Sequence, residues 1–228
     1  MRAIILASGR GTRMAPLTDT IPKPMLMVGD KNLLEWKLSA LPKNITDVLF
    51  VVGYMSEKIS EYFKDSWNGI RIHYVYQETL NGTGGAMMLC KDFVIDNTLV
   101  LMGDDIYDRN DLAELQKYKF SILGQEDSTK AVTKGELIID SKQNCIGINE
   151  GLIQTNEHSH IINAAAYSIS PEYYNASPVR VSDSEYGLPQ TLMALSGTHN
   201  IHCIKTQNWI QITKPDDLAS AEKKLEQI

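Results

Sequence analysis

LASGRGTRMAPLTDTIPKP, residues 6–24, is the stretch whose reading decides the fold. It grows out of a short apolar run, AIILA at 3–7, that ends on small residues and then on Gly9 and Gly11. An apolar run of that length closing on glycines is the pattern of a buried parallel strand feeding a phosphate loop. Glycines there let backbone N–H groups turn towards a phosphate and approach it closely. Two glycines after a strand also occur in ordinary turns, so the neighbours decide. A dinucleotide-binding fingerprint requires glycine where Met14 stands, and no Gly-Lys-Ser/Thr ending is present for a nucleoside-triphosphatase loop. Arg13 and Lys23 lie in a segment rich in proline and threonine, and Pro22 and Pro24 bracket Lys23. Prolines on either side stiffen the backbone that carries the lysine. An ordinary solvated loop with two cations is the plainer alternative. Glycines, a guanidinium, a restrained ammonium and prolines together point to a polyphosphate site.

Working outward, apolar runs recur at 46–52, 70–76 and 98–102, with amphipathic stretches between them at 33–41, 56–63 and 84–93. Strand alternating with helix predicts an α/β fold over residues 1–110, a Rossmann-like, doubly wound and mostly parallel sheet. After Asp111 the character changes. Residues 119–149 carry strand-like pieces (KFSILG, GELIID, NCIGIN) without clear helices between them. HIINAAAYSI at 160–169 predicts a longer strand and YGLPQTLMAL at 186–195 a helix. IHCIKT then predicts a strand, and KPDDLASAEKKLEQI at 214–228 a closing amphipathic helix with Asp216 and Asp217 near its start, as the helix dipole prefers. The expectation is a single domain, 1–228, with a nucleotide-binding half over 1–110 and a small second lobe over 111–228 on the same sheet.

Charge narrows the partners. Lys and Arg total 22 against 28 Asp and Glu, a net charge of −6. Proteins that grip long nucleic acids draw much of their affinity from a basic surplus, so a polynucleotide partner is excluded, whereas a small phosphorylated ligand in a cationic cleft is not. Cys90, Cys145 and Cys203 are scattered and form no CxxC pair, which suits reduced thiols. Gly9, Arg10 and Arg13 cut the opening apolar run short of a signal-peptide core, and no run approaches the ~20 residues of a membrane span. A cytoplasmic protein without membrane association is expected. Nothing in the sequence fixes its oligomeric state.

The segment from Gly9 to Met25 resembles the signature of the sugar-1-phosphate nucleotidyltransferases, the NDP-sugar pyrophosphorylases. An apolar strand is followed by GxGTR, a hydrophobic residue, xPLT and PKPM, here Gly9, Gly11, Thr12, Arg13, Met14, Pro16–Thr18 and Pro22–Met25. The resemblance implies that Leu6, Ala7, Gly9, Gly11 and Thr12 line the triphosphate, and that Arg13 and Lys23 meet the β- and γ-phosphates and the transferring α-phosphate. QETLNGTGGA at 77–86 follows a predicted strand and opens a helix. Gln77 carries both a donor and an acceptor for a base edge, although glycine-rich helix entries are also common on structural grounds alone. The segment looks like the family's base-reading loop, with Gln77, Gly82 and Thr83 as its contacts. It leans towards UTP and is similar to loops of guanylyltransferases as well. LVLMGDD at 99–105 puts two carboxylates at the carboxyl end of a buried strand, where open α/β sheets bind ligands. By resemblance Asp104 is the ligand of Mg2+, and Asp105 is the weaker candidate.

The chemistry needs no base. A phosphate monoester has its second pKa near ~6 and is already a dianionic nucleophile at neutral pH. The site must instead bring two anions together in line, with cations and a metal around the α-phosphate. The histidines therefore need no catalytic role, and His158 and His160, flanking a loop, are expected to be solvent-exposed. In the second half the resemblance keeps its outline and changes in detail. Asn163 and Tyr167 match the NAGxY strand, with Ala165 in place of glycine. Glu150 matches the acid of the EKP motif, but Gly151 and Leu152 replace its lysine and proline. Gln211 stands where a second metal-binding aspartate is expected, and an amide oxygen ligates magnesium without adding charge. Glu150 and Asn163 are the expected acceptor contacts. The implied reaction is NTP plus sugar 1-phosphate to NDP-sugar plus pyrophosphate, with a heptose or amino-sugar phosphate among the candidate acceptors. A cytidylyltransferase for phosphocholine or another small phosphoester, and a non-catalytic nucleotide-binding subunit, are the alternatives.

Overall fold

The computed structural model of the chain describes residues 1–128, 131–132, 135–151, 153–154 and 160–226. Leu152 and His158 lie outside them. One ten-stranded sheet organises the molecule. Its strands are β1 (Arg2–Ala7), β2 (Asp47–Val52), β3 (Ser66–Trp67), β4 (Ile70–Tyr76), β5 (Thr98–Met102), β6 (Ser121–Asp127), β7 (Glu136–Ile139), β8 (Cys145–Asn149), β9 (His160–Ile169) and β10 (His202–Thr206). The helices are α1 (Leu33–Ala40), α2 (Ser56–Phe63), α3 (Gly82–Met88), α4 (Arg109–Leu115), α5 (Leu188–Met193) and α6 (Asp216–Leu225).

The centre of the sheet runs β4–β2–β1–β5, all parallel, with Arg2–Leu6 of β1 in register with both Asp47–Val51 and Thr98–Met102. Every residue of β2 is buried, as expected for a strand covered on both faces. Side-chain alternation splits the core into two layers. Ala3, Ile5, Val48, Phe50, Leu99 and Leu101 face the layer containing Leu34 and Leu38 of α1, Ile59 and Phe63 of α2 and Leu112 and Leu115 of α4. Ile4, Leu49, Val51 and Val100 face the layer of Ala86, Met87, Leu188 and Leu192, from α3 and α5. Each fully buried aliphatic side chain contributes roughly 1.5–3 kcal/mol. The sheet is thus doubly wound, as the sequence pattern predicts.

Beyond β5 the pairing turns mixed. β9 runs antiparallel to both β5 and β6, β10 pairs parallel with β6, and β7 pairs antiparallel with β8 and β9. A bulge interrupts β9 between Asn163 and Tyr167, and within it Ala165 adopts a left-handed φ of 56°. Two local expectations need correction. The predicted helix at 84–93 ends at Met88, and a separate 3-10 turn covers Lys91–Phe93. α4 has no counterpart in the sequence reading, because only Leu112 and Leu115 mark its buried face and its start is set by the Asp108 side chain accepting from Asn110 N. No helix among the described residues is long and apolar enough to cross a membrane.

The chain leaves β1 towards β2 on one side and returns from β4 to β5 on the other. The strand order therefore switches between β1 and β5, and open α/β sheets bind ligands outside the carboxyl ends at such a point.

Candidate active site

A cleft of about 390 Å³ opens at that switch point. It is lined by Leu6, Ala7, Gly9, Gly11, Thr12, Arg13 and Lys23 from the first loop, by Gln77, Gly82 and Thr83 from the second, and by Asp104. Every residue expected to meet the nucleotide thus borders one cavity. Ser8, Glu185 and Thr213, absent from the expectation, border it too.

The first loop is held in shape by packing beneath it. Met14, Leu26 and Val28 form a small core with Leu33, Ile106, Ile210, Ile212 and Ala221, so the loop is anchored to α1 and α6. Gly11 has φ 64°, and a Cβ there would lie 2.8 Å from the Cβ of Lys23. Glycine is needed both for the left-handed turn and for Lys23 to pass beside it. Lys23 is only 7% exposed. Its Nζ donates to Asp104 Oδ2 at 2.7 Å and to Ile212 O at 2.5 Å. Arg13 is exposed at the cleft wall.

In the second loop Gln77 is buried and its amide is engaged within the protein. Its Nε2 donates to Asn81 Oδ1 at 3.0 Å and to Gly82 O at 3.2 Å, and its Oε1 accepts from the Ser8 hydroxyl. The sequence reading offered Gln77 to a base edge with donor and acceptor both free. Here the amide organises the loop, and both its N–H groups are already used. The loop is strapped to the second half of the chain: Tyr186 N donates to Asn81 O at 2.8 Å, and Leu188 N to Thr83 Oγ1 at 3.0 Å. Gly82 has φ 86°, and a Cβ there would collide with the Tyr186 carbonyl oxygen.

The two carboxylates after β5 part company. Asp104 keeps a partly exposed side chain at the cleft, with Lys23 on Oδ2 and Oδ1 making no hydrogen bond among the described residues. Asp105 turns into the protein, where it accepts from Trp209 Nε1 at 3.1 Å and Ile212 N at 3.3 Å. Burial, reinforced by Asp104, raises its pKa, and Lys37 opposes that shift. Gln211 lies between Ile210, which pairs with Ile106, and Ile212, so it belongs to the same corner without lining the cleft. Among the described residues no group of three or more His, Cys, Asp or Glu could hold a metal. One half-exposed carboxylate with a free oxygen fits magnesium, which keeps waters and phosphate oxygens in its shell and needs one or two carboxylates from the protein.

Sequence reasoning missed Lys37. It is fully buried on α1 and its Nζ donates to Leu33 O at 3.2 Å. Burial lowers its pKa, while Asp104 and Asp105 hold it up. In LLEWKLSAL a lysine reads as part of a solvated face. Its position four residues after Leu33 and three after Leu34 was the available signal that it lies on the buried one.

The expected acceptor contacts are not among the residues that line this cleft. Asn163 Oδ1 accepts from Ala165 N at 2.8 Å and its Nδ2 donates to the Tyr167 hydroxyl at 2.9 Å, so its amide shapes the β9 bulge. Tyr107, on the chain leaving Asp105, donates to Ala165 O at 3.1 Å. Glu150 accepts from Gln190 Nε2 of α5 at 2.9 Å. His160, expected at the surface, is instead buried: the β9 alternation turns it inward, where its Nδ1 lies 2.6 Å from Glu136 Oε1.

Comparison with known proteins agrees with this geometry. The family model described as nucleotidyl transferase matches residues 2–227. The chain is 31% identical over 228 residues to the bifunctional protein GlmU of Methanocaldococcus jannaschii, covering 99% of this chain and 54% of that one. It therefore spans about half the length of the GlmU relatives that it matches. It is 34% identical over 177 residues to the D-glycero-alpha-D-manno-heptose 1-phosphate guanylyltransferase of Campylobacter jejuni, covering 77% of this chain and 78% of that one. Among solved structures, a putative glucose-1-phosphate thymidylyltransferase from Bacillus anthracis shares the fold with a TM-score of 0.80 at 21% identity, covering 100% of this chain and 96% of that one. A cleft with this loop at the β1–β5 switch point, and a family match along nearly the whole sequence, lead to one assignment: the chain belongs to the nucleotidyl transferase family, among the sugar-1-phosphate nucleotidyltransferases.

Proposed function

We propose that the chain transfers a nucleotidyl group from an NTP to a sugar 1-phosphate, releasing pyrophosphate. The supporting observation is the cleft itself, which the glycine loop from Ser8 to Arg13, Lys23 and Asp104 border together. The sugar phosphate brings its own nucleophilic oxygen, so the protein's work is to hold two anions in line and to offset their charge. Lys23 leaves Asp104 for the α-phosphate and Arg13 draws the departing pyrophosphate. Asp104 would hold Mg2+, and the ion when bound supplies positive charge to the phosphate oxygens. Leu6, Ala7, Gly9, Gly11 and Thr12 cradle the triphosphate. Gly82 and Thr83 meet the base, and Gln77 keeps their loop in place. Glu150 and Asn163, in the half beyond residue 110, receive the sugar. The work takes place in the cytoplasm.

The base is the open choice between two classes. Likeness to a UTP--glucose-1-phosphate uridylyltransferase of Haloferax volcanii, 26% identical over 241 residues, accompanies the lean towards UTP, and likeness to the heptose 1-phosphate guanylyltransferase supports GTP and a heptose acceptor. The test is pyrophosphate release with each of four NTPs, magnesium, and a panel of sugar and alcohol phosphates. Release is expected only when nucleotide, metal and acceptor are all present. Folded protein that releases none with any acceptor overturns the proposal.

A further inference from the structure

Lys37 is the charged group that the reaction just proposed leaves without a task. It is fully buried, and its one hydrogen bond, to Leu33 O at 3.2 Å, is with the carbonyl one turn back on its own helix. An ammonium has three donors, so two find no acceptor among the described residues. Burying an ammonium that way is costly, and a methionine of similar length would fill the same space without the cost. Packing therefore does not account for a lysine at this position.

Its surroundings do. The charges that act on it are Asp104 and Lys23, which border the cleft, and the buried Asp105. Without nucleotide, Lys23 neutralises Asp104 directly. A triphosphate that draws Lys23 away leaves the buried Asp105, and in the absence of metal Asp104 as well, with no cation in contact among the described residues. Asp105 must stay an acceptor, because Trp209 Nε1 and Ile212 N both donate to it. The 209–212 segment that it holds also presents Ile212 O to Lys23. Lys37, buried on α1, has two donors without an acceptor among the described residues and is attracted to both carboxylates.

We propose that Lys37 is a positioning residue, the permanent counter-charge of the Asp104–Asp105 pair that frees Lys23 to serve the phosphates. The proposal rests on the nucleotidyl-transfer reading. Removing the charge makes the cleft floor more negative, so a triphosphate binds less well while a bare divalent cation binds equally well or better. A merely structural role would weaken both together and lower stability with them.

The experiment compares wild-type protein with Lys37→Met and Lys37→Arg. UTP and GTP binding is measured by calorimetry without magnesium, then Mn2+ binding without nucleotide, with urea unfolding alongside. Lys37→Met is expected to lose about tenfold in nucleotide affinity and to keep or gain Mn2+ affinity. Lys37→Arg should recover most of the nucleotide affinity. Nucleotide binding by Lys37→Met within twofold of wild type overturns the proposal, as does a parallel loss of nucleotide, Mn2+ and stability. If Lys37→Met does not fold, Lys37→Gln replaces it, and failure of both means that the charge serves the fold instead. Wild-type protein that binds neither nucleotide removes the functional reading and this proposal with it. Normal wild-type binding with an unaffected variant removes the role of Lys37 alone.

Discussion

Replacing Ala165 with glycine, set beside the same change at Ala166, isolates the energetic effect of one backbone angle. Ala165 sits in the β9 bulge at φ 56°, whereas Ala166 is fully buried and has no positive φ. A left-handed conformation costs an L residue roughly 1–2 kcal/mol, which glycine does not incur. Against that relief, glycine adds about 0.4–1 kcal/mol of unfolded-state entropy. The lost methyl, half-buried at 165, removes about half of the ~0.8 kcal/mol of a fully buried carbon. The three contributions nearly cancel, so Ala165→Gly should lie within about 0.5 kcal/mol of wild type. Ala166→Gly has no relief and should lose about 1.5 kcal/mol from the same entropy and burial costs. Urea unfolding reads the difference of about 2 kcal/mol directly, and thermal unfolding should show it as roughly 4–8 °C for a chain of this size. Equal losses at both positions would refute the assignment of strain to Ala165.

Lys23→Ala should lower kcat by about 100-fold or more, as loss of a charge aimed at the reacting phosphate does, and unchanged kinetics would remove Lys23 from the site. Gly82→Ala forces a side chain into a φ of 86° and against the Tyr186 carbonyl oxygen; it should cost roughly 2 kcal/mol in urea unfolding and weaken nucleotide binding, and a neutral result would contradict the strap. Hydrogen bonds from Arg71 at 2.7 and 2.9 Å hold the Asp47 carboxyl well below the usual carboxylate range, with Thr46 and His73 adding to the effect and burial opposing it. Because that folded-state pKa is depressed, the stabilisation is complete above the unfolded value of about 4 and is lost as pH falls below it towards the folded one. Wild type and Asp47→Asn should therefore differ most in urea midpoint near neutral pH and converge in acid; a constant gap would exclude the linkage.

The parts of the site legible in the sequence are those whose chemistry is local. Gly9 and Gly11 after an apolar run, and Lys23 between two prolines, announce a phosphate loop before any tertiary contact is known. Asp104 and Asp105 illustrate the limit. Both stand in one GDD string, yet successive side chains leaving a strand diverge, and only Trp209 and Ile212, over a hundred residues away, draw Asp105 inward. Lys37 was hidden for a related reason, since its charge masked its place on the apolar stripe of α1. α4 escaped notice because a seven-residue helix with two buried leucines carries almost no periodic signal. The mixed pairing around β9 could not be read either, because the partners of a long strand are set by distant segments. The positive φ of Ala165 lies beyond sequence reading too, although alanine standing where the resembled motif has glycine marks the position.

The strap between the glycine-rich loop and the start of α5 bears on how this scaffold can be re-engineered. Asn81 and Thr83 take backbone N–H groups from Tyr186 and Leu188, and two residues further on Gln190 holds Glu150. The loop proposed to meet the base and the residue proposed to meet the acceptor are therefore joined through a shared backbone junction. A chimera that imports only residues 77–83 from a relative leaves the other half of that junction mismatched. Exchanging 185–190 along with them keeps both sides of the junction matched.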